Sequence, residues 1–103
     1  MIWEVEYTQS ALLDLQNIYD YIADILLEPS ISQKQTDRIM EAAESLEYMP
    51  FRHQLYSNEP WRSLGWRFIP VDNYIILYLP DEPSNTVNIM RIVYGGRNIE
   101  NNI

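Results

Sequence analysis

The stretch LGWRFIPVDNYIILYLPDEPSNTVNIMRIVY, Leu64 to Tyr94, decides how this chain folds. Three runs in it, Leu64 to Val71, Tyr74 to Leu79 and Thr86 to Tyr94, are rich in β-branched and aromatic residues that suit a pleated, half-buried surface. Asp72-Asn73 separates the first two runs and Pro80-Asp81-Glu82-Pro83-Ser84-Asn85 the last two, both plausible hairpin connections. The stretch therefore predicts a three-stranded antiparallel meander.

Upstream, Phe51 to Pro60 carries Pro, Ser and Asn with no sustained period and reads as a loop. Before it, Leu12, Leu15, Tyr19, Ile22, Ile25 and Leu26 recur at three- and four-residue intervals, predicting an amphipathic helix capped by Thr8 or Ser10 and ended at Glu28 by Pro29. Ser30 or Ser32 then offers a new cap, and Ile39, Ala43 and Leu46 continue a second helix to about Tyr48, closed by Pro50. At the start, Trp3, Val5 and Tyr7 alternate with Ile2, Glu4 and Glu6, the period of a strand with one buried face. The order is β-α-α-β-β-β, an α+β class in which a helical hairpin covers one face of a curved antiparallel sheet and leaves the other open. Downstream, residues 95–103 read as a flexible tail.

The chain has 103 residues, the size of one domain spanning 1–103, and at 47% hydrophobic it has the material for a core. It contains no cysteine, so there is no disulfide framework and no thiolate metal site, and a cytoplasmic location is expected. No apolar run approaches the roughly 18 residues of a membrane span. The net charge is −8, carried by residues 1–51 with ten acids and two bases; residues 52–103 balance five against five. Such a chain repels free polyanions, which argues against direct binding to free nucleic acid. Every base of the second half is arginine, the residue suited to planar, bidentate contacts.

Three of those arginines are candidates for one anion site. Arg67 lies between Trp66 and Phe68 and points away from their side of the sheet, Arg91 interrupts an apolar strand, and Arg97 follows Gly95-Gly96. Against this stands the ordinary alternative that each is solvated or ion-paired. His53 is the only histidine and the one side chain that titrates near neutrality without perturbation; Tyr94, ending the last strand, is a candidate proton donor or stacking surface, or else core. Helix carboxylates such as Asp14, Asp20 and Asp24 read as a solvated face. One histidine and scattered carboxylates give no metal-ligand spacing, and Gly65, Gly95 and Gly96 form no phosphate-binding loop, so neither metal nor cofactor is expected.

Several segments together resemble the RelE/ParE toxin superfamily. Trp3-Glu4-Val5-Glu6-Tyr7-Thr8 with Ala11 and Asp14-Leu15, then Ile18-Tyr19-Asp20-Tyr21-Ile22, is similar to its entry strand and first helix. Gly65-Trp66-Arg67-Phe68-Ile69-Pro70, Asn73-Tyr74-Ile75-Ile76-Leu77-Tyr78 and Val87 to Asn98 follow its three-strand core and closing turn. The resemblance implies the toxin of a type II toxin–antitoxin module, which arrests growth or stabilises a plasmid and is neutralised by an antitoxin protein. RelE-like members cut messenger RNA on the ribosome without a metal; ParE-like members inhibit DNA gyrase. Ile75 stands where RelE-like ribonucleases commonly carry an arginine, the lysines of the preceding strand are missing, and no late tyrosine occurs in 98–103. With the long hairpin, these departures favour the ParE-like branch and gyrase. A ribosome-dependent endoribonuclease using Arg67, Arg91 and Arg97 with Tyr94 or His53 is the alternative, and a non-toxic antitoxin-binding module the third.

Overall fold

The computed structural model describes residues 2–96 together with Ile99 and Ile103. Strand β1 (Glu4–Tyr7) leads into α1 (Gln9–Asp20), α2 (Pro29–Glu44), a short α3 (Trp61–Leu64) and strands β2 (Arg67–Val71), β3 (Tyr74–Asp81) and β4 (Thr86–Tyr94). The class is α+β, with the two long helices packed on a four-stranded sheet of order β1-β4-β3-β2. The expected meander is present as antiparallel β2-β3-β4. The sheet as a whole is mixed, because β1 pairs parallel with β4, Glu4 opposite Thr86 through Tyr7 opposite Ile89. Alternation in a sequence specifies a strand's buried face and leaves its direction open.

Thr8 caps α1 as its position suggests: its Oγ1 accepts from the Ala11 N–H at 3.2 Å. The first helix does not run regularly to Glu28. From Tyr21 to Ile25 it widens into a π-helical turn, the Leu26 N–H donating to the Tyr21 carbonyl at 3.1 Å, and the chain reverses at Leu27 with φ of 56°. Neither Ser30 nor Ser32 caps α2. The helix opens with Pro29 in its first turn, where a missing N–H costs nothing, and Ser32 is fully buried, its hydroxyl donating to the Tyr19 carbonyl at 2.6 Å. That bond pins the two helices together. A 3₁₀ turn, Ser45–Glu47, finishes the segment before Pro50.

The principal core fills the space between hairpin and sheet, where Ala11, Leu15, Ile39, Leu46, Ile76, Tyr78 and Ile89 meet. Fully burying such a side chain stabilises the fold by about 1.5–3 kcal/mol. The opposite face is not left open. Tyr56 packs there on Leu77 and Val93, with Trp61, Trp66, Phe68 and Ile75 around them. Tyr56 meets Trp61 and Phe68 edge to face, ring centroids 5.8 and 6.2 Å apart. The segment read as a loop is thus a second layer, and α3 within it ends on Gly65, whose φ of 90° few other residues adopt. Arg97, Asn98 and 100–102 lie outside the described residues, while Ile99 and Ile103 pack against this second cluster.

Candidate functional site

Arg67 begins β2. Trp66 and Phe68 belong to the second cluster, so Arg67 does turn from their face, and its register partner Tyr78 belongs to the principal core. Its guanidinium donates to the carbonyls of Phe51 (3.2 Å) and His53 (2.5 Å) and lies 5.1 Å from the centre of the Phe51 ring. Its Nε is buried without a partner among the described residues, as is Nε2 of His53. The His53 ring stands edge-on to Tyr78, and burial, then the charge of Arg52, holds its pKa below the ordinary value. Tyr78 is fully buried and donates from its hydroxyl to the Pro50 carbonyl at 2.6 Å; burial pushes its pKa up to about 12. Arg52 donates to the carbonyls of Tyr48, Met49 and Ser45, closing the turn that ends the second helical segment.

Arg91 sits elsewhere. A bulge where Leu77 and Tyr78 face Arg91 and Ile89 leaves Met90 extra, and Arg91 shares the face of Leu77, opposite to that of Arg67. Because β1 reaches only Ile89, β4 continues with its edge against α1, and there Asp14 accepts from Arg91 at 2.7 and 2.9 Å and from the Ile92 N–H at 2.9 Å. Another nitrogen of Arg91 donates to the Ile103 carbonyl at 3.3 Å. The bond to Asp14 holds the arginine's pKa above its usual value. Asp14 is therefore no part of a solvated face, and Arg91 is ion-paired.

Tyr94 is 60% exposed and meets Tyr74 edge to face at 6.0 Å. The two line a cleft of about 560 Å³ with Asp14, Asn17, Tyr21 and Arg91. The expected convergence of three arginines is not formed by the described residues: Arg67 goes with His53, Arg91 goes with Tyr94, and Arg97 lies outside them. Asp14, Arg52 and Tyr21 are the residues missed. Asp14 had a signal, since it follows Ala11 by three and precedes Ile18 by four and so flanks the buried stripe. Among the described residues no group of three His, Asp or Glu is placed to hold a metal, and no helix is long and apolar enough to cross a membrane.

The sequence model of a family described as the ParE toxin of the type II toxin–antitoxin system, parDE, matches residues 5–99. The chain belongs to the ParE toxin family. This ParE-family chain is similar in fold to a protein of the chromosomal ParDE system of P. aeruginosa, with TM-score 0.76 and 20% identity over 92% of this chain and 98% of that one. It is similar also to a chain of the RelBE2 toxin–antitoxin complex of Mycobacterium tuberculosis, TM-score 0.64 and 23% identity over 91% and 99%. The isolated RelE toxin of E. coli follows, TM-score 0.54 and 11% identity over 97% and 92%. No curated protein matches.

Proposed function

We propose that this ParE-family chain is the toxin of a type II module, held inactive by a cognate antitoxin and arresting growth in the cytoplasm by binding DNA gyrase. The observation that carries the choice of target is the Asp14–Arg91 pair: both Asp14 oxygens are engaged, so Arg91 is already neutralised and serves the sheet edge. A phosphate would have to displace a carboxylate whose own burial makes it costly to strand. Arg67 is spent on two backbone carbonyls, and Ile75 packs into the second cluster. An acid–base set for RNA cleavage is not assembled by these residues.

The deciding experiment adds purified protein to gyrase supercoiling and to cell-free translation. Loss of supercoiling with messenger RNA intact is expected; cleavage of ribosome-bound messenger with supercoiling untouched overturns the choice. The ribosome-dependent endoribonuclease reading is favoured by one observation, that Arg91 and Tyr94 line the same cleft, and Tyr94→Phe abolishing cleavage would establish it. Neither activity, with antitoxin affinity retained, would mark a non-toxic binding module.

A further inference from the structure

The sheet has two outer edges, and they differ. Beside β2 the edge is occupied: Leu55 bridges Arg67, the Tyr56 N–H donates to the Trp66 carbonyl at 2.8 Å, and the Phe68 N–H donates to the Gln54 carbonyl at 3.2 Å. Beside β1 no described residue pairs with it. Successive residues of a strand turn their peptide groups to alternate sides. Glu4 and Thr8 donate toward β4, to the carbonyls of Asn85 and Ile89, each at 3.1 Å, so Val5 and Tyr7 turn N–H and C=O outward. Among the described residues none of these four groups has a hydrogen-bond partner.

What lies along this edge is of one charge. At its start the Trp3 N–H donates to the Glu47 carbonyl at 2.8 Å, and beyond that contact a cleft of about 560 Å³ opens, lined by Trp3, Glu4, Val5, Glu44 and Glu47. Glu6 follows Glu4 on the same side of the strand, and none of the four glutamates forms an ion pair among the described residues. β1 is short and guarded by glutamates rather than by lysine or proline, a charge that repels another acidic strand and admits a basic one. We propose that the outer edge of β1 is a docking edge for an extended, basic segment of a protein partner, which pairs its backbone with Val5 and Tyr7 and sets lysines or arginines against Glu4, Glu6, Glu44 and Glu47. A second copy of this chain is disfavoured, since pairing β1 with itself sets glutamates against glutamates. The inference concerns the edge alone and does not depend on the gyrase reading.

The test titrates the isotopically labelled protein with an acetylated, amidated hexapeptide alternating lysine and valine, followed by nuclear magnetic resonance. The Val5 and Tyr7 amides are expected to shift most and to exchange with solvent more slowly. Replacing the peptide's lysines by glutamates, or making Glu4→Lys/Glu6→Lys in the protein, is expected to weaken binding by about tenfold or more. Of two peptides N-methylated on alternate residues, one should lose binding and the other keep it, because a partner strand bonds through one set of amides only. Shifts centred elsewhere, equal binding of the glutamate peptide, or indifference to both methylations would overturn the proposal. Should the charge-reversed protein fail to fold, the peptide charge and methylation series reads the same edge in the unaltered protein.

Discussion

At Asp14 one carboxylate accepts from a guanidinium and from a backbone N–H that has lost its neighbouring strand, so the side chain stands in for the residue β1 would have supplied. Asp14→Ala is expected to cost about 2–3 kcal/mol, because it strands both a half-buried cation and a strand amide; Asp14→Asn keeps an acceptor and should cost roughly half as much. Urea midpoints of the three proteins check this, and equal midpoints would show the pair to be incidental. His53 gives a second expectation. Its pKa in the folded protein lies below the unfolded value of 6.5, so the unfolded chain takes up the proton first. Stability is then full above pH 6.5 and falls as the pH drops toward the folded pKa. His53→Asn should flatten that slope between pH 7 and 5.5, measured by denaturation at several pH values.

Elements carry their own determinants. The Ser32 hydroxyl ties the helical hairpin together through the Tyr19 carbonyl, and Ser32→Ala should lower stability by about 1 kcal/mol through the loss of that bond. Gly65→Ala tests the turn into β2: its Cβ would lie an ordinary 3.5 Å from Leu79, so the cost of about 1 kcal/mol comes from the positive φ alone. A thermal melt distinguishes that from a steric clash, which would cost more. The helices and the meander were legible because each has a strong apolar period, and Thr8 was legible as a cap because its chemistry is local. The second layer was not. Tyr56, Trp61 and Trp66 lie in a segment without periodicity, and only the tertiary fold lays them on Leu77 and Val93. The candidate site suffered similarly: that Arg67 faces away from Trp66 follows from strand alternation, but its distance from Arg91 depends on a bulge at Met90 and on where β1 stops, neither of which a pattern encodes.

Across the whole molecule the charge is −8, concentrated in the first half of the chain, and self-repulsion opposes compaction. Raising the salt from about 10 mM to about 150 mM shortens the screening length from about 30 to about 8 Å. The melting temperature is expected to rise over that range, even though the exposed Arg38–Asp72 pair at 2.8 Å weakens. A fall would mean that attractive pairs outweigh the repulsion. The pairing of β1 with β4 also has a kinetic meaning. Thr8 donates to the Ile89 carbonyl across 81 positions of sequence, so that contact closes nearly the entire chain into a loop. Local helices can form early, but a sheet sealed by its first strand and its last forms only after a longer search, which slows folding relative to a helical bundle. During synthesis β1 leaves the ribosome before β4 and waits for it before it has a neighbour, so the sheet cannot be completed until β4 has been translated.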